Sequence, residues 1–352
     1  MRAVVYYGNM DARLESVPEP DPGPRDVKLR VDYCGICSSD IKEYAHGPLF
    51  MTLDPPNPIT GKKVPLIMGH EITGTVVETG REVSGLRPGD RTVVQAAVAC
   101  GECSICRNHS EAPCPNVAGA GFGADGGLAE YMTWPASHVV KIPDHLSSEE
   151  AALVEPASVA VHAVRRSRLQ PGESAAVLGC GPVGLLIIQT LKAKGGRVIA
   201  VDNRQMSLDM AKEVGAEATV NTGDGDPGEM LREFTGGDGP DMVFDVAGGE
   251  QTPVQAIEWA RMGGRAILVA IYSATSTLHF NSIVANEREV IGSLAYQRRD
   301  VEEAVRLVAA GEVRTRPLIS DTISLEDAGG IGFRRMVHPT KDFFRILVSP
   351  GD

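Results

Sequence analysis

The sequence predicts an α/β protein of two domains: a β-rich region with long loops, then a doubly wound parallel sheet covered by helices. Three observations predict it. The chain has 352 residues, 43% apolar and 23% charged, more than one ordinary core serves. Its first part mixes short apolar alternations with turn clusters, and from about Pro156 apolar runs alternate with helical spacing. Its 39 glycines and 23 prolines are too many for a helical bundle and lack collagen's three-residue period, so turns are frequent.

In the first region Val27-Lys28-Leu29-Arg30-Val31, Ile72-Thr73-Gly74-Thr75-Val76-Val77 and Arg91-Thr92-Val93-Val94 predict strands. The loops between them carry Pro48, Pro55-Pro56, Pro58, Pro65 and a four-cysteine segment, and functional groups tend to sit on such loops. Next, Ala157, Ala160, Val161 and Val164 fall at helical spacing. Ala175-Ala176-Val177-Leu178 predicts a buried strand, and a helix follows from Pro182 to Lys194, with proline where its missing N–H costs nothing. Val198 to Val201, Met242 to Val246 and Ala266 to Ile271 are further strands. Continuous apolar strands between helices imply a parallel sheet buried on both faces. After about Glu289 the pattern is mixed: Ile291 to Tyr296, a helix through Val301 to Ala309, and a closing strand from Phe344 to Val348. This tail is expected to return to the first domain. The expected boundaries are 1–156 for the first part of the β-rich domain, with a cysteine lobe at 97–116, then 157–291 for the parallel-sheet domain and 292–352 for the remainder of the first.

The longest apolar stretch, Ala175 to Ile188, is broken by three glycines and a proline and falls short of the roughly 18 residues of a membrane span. Met1-Arg2-Ala3-Val4-Val5-Tyr6 shows no signal-peptide pattern, so a cytoplasmic location is expected. With 34 basic and 46 acidic residues, the net charge of −12 repels phosphate backbones, and no nucleic-acid partner is expected.

Gly179-Cys180-Gly181-Pro182-Val183-Gly184 follows a predicted strand and opens a predicted helix. There glycines let a pyrophosphate approach the helix N-terminus. Alone the motif also suits a plain glycine-rich turn. Asp202 strengthens it, ending the next strand 18 residues beyond Gly184, where a carboxylate accepts hydrogen bonds from the adenosine ribose hydroxyls. The 2′-phosphate of NADP would meet like-charge repulsion from Asp202, which Arg204 blunts, so NAD is the expected cofactor. Val246 and Ala270, at the ends of two later strands, complete the expected cofactor contacts.

Cys100-x2-Cys103-x2-Cys106-x7-Cys114 is too tight for ordinary disulfide pairing in a cytosolic chain. Four thiolates close a tetrahedral zinc site with no open place, so this site is structural. A bacterial iron–sulfur run, which Cys114-Pro115 echoes, has a shorter last gap, of three residues. A catalytic zinc needs ligands from separated positions, and Cys37, His70 and Glu155 are the candidates. Taken singly, Cys37 also suits a core, His70 a loop and Glu155 a helix cap. Glu155 precedes Pro156 at the expected first helical position, so its carboxylate sits beside a positive helix end and stays ionised. On extended backbone His70 and Glu71 point in opposite directions, making Glu71 a supporting group rather than a simultaneous ligand. Cys34 can pair with Cys37 on spacing alone, and Cys180 is most simply a packed thiol.

These residues, in this order, resemble the zinc-containing medium-chain alcohol dehydrogenases over essentially the whole chain. The resemblance is carried by Gly69-His70-Glu71, the turn Gly85 to Arg91, the four-cysteine lobe, Glu155-Pro156, the glycine motif and Ile291-Gly292-Ser293. Within the family, Cys34-Gly35-Ile36-Cys37-Ser38-Ser39-Asp40, the segment from Gly47-Pro48 to Pro58-Ile59-Thr60-Gly61, and Leu153-Val154-Glu155-Pro156 look most like butanediol dehydrogenases, with sorbitol and threonine dehydrogenases as neighbours. The resemblance implies a GroES-like catalytic domain built from both chain ends around a Rossmann domain. It implies Cys37 rather than Cys34 as ligand, with His70 and Glu155 beside it and Glu71 behind. It further implies homodimers or homotetramers, and a small alcohol, diol or ketone as substrate.

The implied chemistry is zinc-assisted oxidation, with Ser39 receiving the hydroxyl proton and the nicotinamide receiving hydride. Lys42 departs from the family, where many relatives have histidine as a proton relay; a lysine near its ordinary pKa of about 10.4 relays poorly at neutral pH. Phe50, Phe122 and Trp134 are expected to line a partly apolar pocket. Two rival readings are a zinc-free reductase of the same fold and a catalytically inactive NAD-binding structural or sensor protein.

Overall fold

The structure, a computed structural model, describes residues 1–108, 113–338 and 342–351. Residues 109–112 of the expected cysteine lobe lie outside the described residues. The chain forms two compact units: Met1–Glu155 with Gln297–Ala309 and Thr315–Asp352, and Pro156–Tyr296 with Ala310–Arg314.

The first unit is built around the strand Asp26–Gly35. Val27, Leu29 and Val31 put one face in the core, while on the other face Arg30 is exposed and Lys28 is covered and paired with Glu19. This strand pairs antiparallel with Glu71–Thr79 and with Tyr131–Pro135. At its end it pairs antiparallel with the closing strand Arg345–Ser349. The registers place Gly35 opposite both Glu71 and Leu347. Two strand ends and the middle of the closing strand, from distant parts of the sequence, therefore meet where the chain leaves for Cys37.

The second unit carries a six-stranded, all-parallel sheet in the spatial order Ala218–Asn221, Arg197–Asp202, Ser174–Leu178, Met242–Asp245, Arg265–Leu268, Glu289–Gly292. Every residue of Ser174–Leu178 is buried. The chain winds outward from that strand to one edge, then restarts at Met242 and winds to the other. Crossovers that run in opposite directions along the sheet, each of the usual right-handed kind, would put helices on both faces, so the sheet is doubly wound.

Several boundaries differ from the sequence reading. The fifth strand stops at Leu268, because the Val269 and Ala270 N–H groups turn onto the Asp245 carbonyl, at 2.9 and 3.1 Å. Ala218–Asn221 is an additional edge strand whose Ala-Thr-Val-Asn sequence carries little apolar signal. The helix at Glu155 begins at Val154, so Pro156 is its third residue rather than its first. Proline is tolerated there because first-turn N–H groups have no helical partner. Among the described residues no helix is long and apolar enough to cross a membrane.

Candidate metal and cofactor sites

Cys37 immediately precedes the helix Ser38–His46 as its N-cap, and the Cys37 N–H donates to Asp40 Oδ2 at 2.9 Å, closing a capping box. Asp40, fully buried, uses its other oxygen on His70 Nδ1 at 3.1 Å. That bond fixes the imidazole ring and leaves Nε2 as the nitrogen available to a ligand. Ser39 Oγ lies 3.4 Å from Nε2. Gly69, at φ +94°, turns the chain into the strand that starts at Glu71. His70 thus stands outside the strand, alternation does not govern it, and its ring and the Glu71 carboxylate converge instead of diverging. One ligand atom each from Cys37, His70 and Glu71 lies within 4.8 Å of the others. Glu155 is outside this group, although its charge acts on Glu71.

Glu71 is fully buried with Oε1 3.1 Å from Nη2 of Arg345, itself buried, and neither Glu71 oxygen accepts a hydrogen bond among the described residues. Burial pushes the Glu71 carboxyl up to about 7, Arg345 opposes this, and Glu155 adds to it. Burial and Glu71 also push the Cys37 thiol up, but Arg345 and a hydrogen bond to His70 outweigh them and leave it below its ordinary range. Burial pulls His70 down, whereas Asp40 and Cys37 raise it well above the usual imidazole range. A thiol held toward thiolate, an oriented imidazole and a carboxylate without hydrogen bonds form a donor set suited to zinc.

The four cysteines of the lobe form a second such group. Their sulfurs stand 3.4 Å apart for Cys103 and Cys106 and for Cys114 and Cys100, 3.9 Å for Cys103 and Cys114, and 4.0 Å for Cys100 and Cys106. Four sulfurs about 2.3 Å from a tetrahedral zinc are about 3.8 Å from one another, so the cage has the size of that ion. None of the seven cysteines is in a disulfide.

In the parallel-sheet unit, Gly181 caps the helix Pro182–Ala193, with Pro182 in its first turn. A Cβ on Gly181 would meet nothing within 4 Å, whereas one on Gly184 would overlap the Gly179 carbonyl. The turn is thus packed from behind and open at the helix end, as a pyrophosphate cradle must be. Asp202 accepts from Cys180 N at 2.7 Å through Oδ2 and from Arg204 N at 2.8 Å through Oδ1. A carboxylate has about four acceptor sites, so two remain for ribose hydroxyls. Arg204 Nε lies 3.6 Å from Asp202 Oδ1. Val183, Val246 and Ala270 are half-buried near strand or helix ends on the carboxyl side of the sheet.

Other expected residues fall as follows. Cys34 is fully buried against Gly69, where a Cβ would come within 2.6 Å of its sulfur, and it lies outside the ligand group. Cys180 is buried and pushed up by burial, consistent with a packed thiol. Lys42 is half-buried three residues after Ser39, on the same side of its helix. Phe122 lies 4.9 Å from the His70 ring and packs edge-on to Phe50 at 5.5 Å. Trp134 corrects the expected pocket wall: it pairs with Val27 in the sheet, is buried in the core, and donates Nε1–H to the Gln95 carbonyl. Asp40 and Arg345 carry roles here that the sequence alone does not assign. Their signals were a carboxylate three residues after Cys37 and a charge inside the apolar closing strand.

A doubly wound sheet with an open glycine turn, in a chain whose β-rich unit holds two sets of metal-ligating side chains, defines a zinc-type dehydrogenase. Comparison with known proteins agrees. The family described as alcohol dehydrogenase GroES-like domain matches residues 23–144, and that described as zinc-binding dehydrogenase matches residues 182–310. The (R,R)-butanediol dehydrogenase of Bacillus subtilis (strain 168) is 38% identical over 99% of this chain and 100% of its own length. The sorbitol dehydrogenase of the same strain is 32% identical over 99% and 97%. A crystal structure of 2R,3R-butanediol dehydrogenase from Bacillus subtilis superposes with a TM-score of 0.92 at 36% identity, covering 99% of each chain. The chain belongs to the zinc-containing medium-chain alcohol dehydrogenase family.

Proposed function

We propose that this chain is an NAD-dependent oxidoreductase of secondary alcohols and vicinal diols, with butane-2,3-diol and acetoin as its substrate pair. The observation that carries it is the convergence of Cys37, His70 and Glu71 within 4.8 Å, in a chain 38% identical to a butanediol dehydrogenase over its whole length. Cys37 and His70 are zinc ligands of the working site, and the family pattern makes Glu155 the third, although in this structure it is Glu71 whose carboxylate stands with the other two. Glu71, held by Arg345, is a second carboxylate within reach of the same place. Cys100, Cys103, Cys106 and Cys114 hold the structural zinc.

Cys37 and His70 with a carboxylate would hold a zinc ion, which would supply Lewis acidity to lower an alcohol's pKa as it lowers that of water toward about 7. Asp40 keeps the His70 ring turned so that Nε2 faces that place. Ser39 Oγ, beside Nε2, would take the substrate's hydroxyl proton as it hands its own on toward solvent; Lys42 lies one helical turn further along. The glycine turn would hold the pyrophosphate of NAD and Asp202 its adenosine ribose, and the bound nicotinamide would supply the hydride acceptor for the carbon-bound hydrogen. Ser39→Ala is expected to lower turnover about 100-fold while leaving NADH affinity within about twofold, which steady-state kinetics and NADH fluorescence check.

All seven cysteines being unpaired suits a reducing cytoplasm. The edge strand Glu289–Gly292 exposes Val290, and Phe280, Val284 and Leu294, close to it in sequence, are exposed as well, which supports a homodimer or homotetramer through this unit. The test of function is a panel of vicinal diols, polyols, threonine and simple alcohols with NAD and with NADP. Butane-2,3-diol with NAD is expected to give the highest kcat/KM. Preference for threonine or a long polyol overturns the substrate, and preference for NADP overturns the role given to Asp202.

A further inference from the structure

We infer that Asp245 is a positioning residue for the nicotinamide half of the cofactor, clamping with one buried carboxylate the two loops over which that half must run. This rests on the NAD reading above. Ligands of a doubly wound sheet bind outside the carboxyl ends of its strands, where the winding reverses. Here the reversal falls between Ser174–Leu178 and Met242–Asp245, and Asp245 is register-paired with Leu178, the residue before Gly179. With the pyrophosphate on the glycine turn and the adenosine ribose at Asp202, the rest of the dinucleotide must cross to the other side. It then passes over the carboxyl ends of Met242–Asp245 and Arg265–Leu268.

At those ends Asp245 organises the backbone. It is fully buried. Oδ1 accepts from the N–H groups of Ala247 at 3.0 Å and Gly248 at 3.2 Å, and Oδ2 from the hydroxyls of Thr252 and Tyr272, each at 2.7 Å. Its carbonyl accepts from Val269 and Ala270 N–H. The loop after one strand and the loop after the next thus meet on one side chain. The first of them also abuts the glycine turn, since a Cβ on Gly179 would lie 2.7 Å from the Ala247 nitrogen. All four donors to the carboxylate are neutral. Burial and the bond to Asp245 push the Tyr272 hydroxyl up, so it remains a donor. An asparagine would offer one acceptor oxygen where two are needed, and its NH2 would face donors.

The test uses the full-length enzyme with Asp245→Asn, Tyr272→Phe and the pair together. Affinities for NADH and for AMP are followed by fluorescence and calorimetry, kcat and KM for NAD by kinetics, and melting temperature and zinc content as controls. Asp245→Asn is expected to weaken NADH binding and raise KM for NAD about tenfold, with AMP affinity within about twofold and kcat at saturating NAD within about threefold. Tyr272→Phe alone is expected to cost about threefold, and little more when added to Asp245→Asn, because it acts through the same carboxylate. Unchanged NADH affinity overturns the inference, as does an equal loss of AMP and NADH affinity, which marks general damage to the sheet. Wild-type protein that binds neither ligand overturns the NAD reading itself. If Asp245→Asn does not fold, Thr252→Val and Tyr272→Phe each remove one donor from the clamp, and the same selective loss of NADH over AMP decides.

Discussion

Cys37→Ala is expected to leave the chain folded and able to bind NADH while lowering alcohol turnover by roughly 1,000-fold or more. The substitution removes a sulfur that the surrounding charges already hold toward thiolate, and the imidazole and carboxylate left behind make a poorer zinc site. The glycine turn and Asp202 belong to the other unit and keep their contacts. The core loses little, because Cys37 is a helix cap whose backbone N–H bond to Asp40 survives the change. Metal analysis is expected to find the four-cysteine site still filled. NADH fluorescence is expected to match the wild type. Turnover that persists in Cys37→Ala removes this residue from the chemistry.

Arg345→Leu is expected to destabilise the fold by about 3–5 kcal/mol, the cost of stranding a buried partner. Arg345 is 2% exposed, donates from Nη1 to the Ile36 carbonyl at 2.8 Å, and faces Glu71, whose oxygens accept no hydrogen bond among the described residues. Without the guanidinium the Glu71 carboxylate has lost its counter-charge and must take up a proton to remain buried. The pH dependence follows. In the folded metal-free protein Glu71 ionises near 7, and in the unfolded chain near 4.5. Between these values the folded state holds the extra proton, so this group's contribution is fully present below about 4.5 and is lost as pH rises through about 7. Removing Arg345 raises the folded value further and extends the loss to higher pH. Urea unfolding of chelated protein is therefore expected to show a larger deficit for Arg345→Leu at pH 8 than at pH 5. A deficit that does not change with pH contradicts the assignment of the cost to Glu71.

The parts of this molecule that could be read from sequence are those whose signal is local. Ala175 to Leu178, the glycines after it and Asp202 declare a strand, a turn and the next strand end within thirty residues, and the structure keeps that arrangement. Arg345 could not be read in the same way. Its partner Glu71 lies far away in sequence, and the two meet only because the closing strand pairs with Cys34 and Gly35 while Gly35 also faces Glu71. Glu71 points toward His70 rather than away from it because alternation holds only inside a strand, and the strand begins at Glu71 itself after the turn at Gly69. Trp134, expected at a pocket, sits on a strand inside the core, since an aromatic next to a turn cluster gives no sign of which face it presents. Asp245 falls inside the expected strand Met242 to Val246 with no role attached; its hold on Thr252 and Tyr272 depends on loops that carry no periodic signal.

The most direct test of the zinc-assisted oxidation is stepwise chelation of the wild-type enzyme, following zinc per chain and turnover of butane-2,3-diol with NAD in the same samples. Two filled sites are expected at the start, one for each group of ligands. Turnover is predicted to fall in step with loss of the zinc held outside the four-cysteine cage, and to return when zinc is restored, with NADH binding unaffected throughout. Full turnover after that zinc is gone contradicts the account and favours a zinc-free reductase of the same fold.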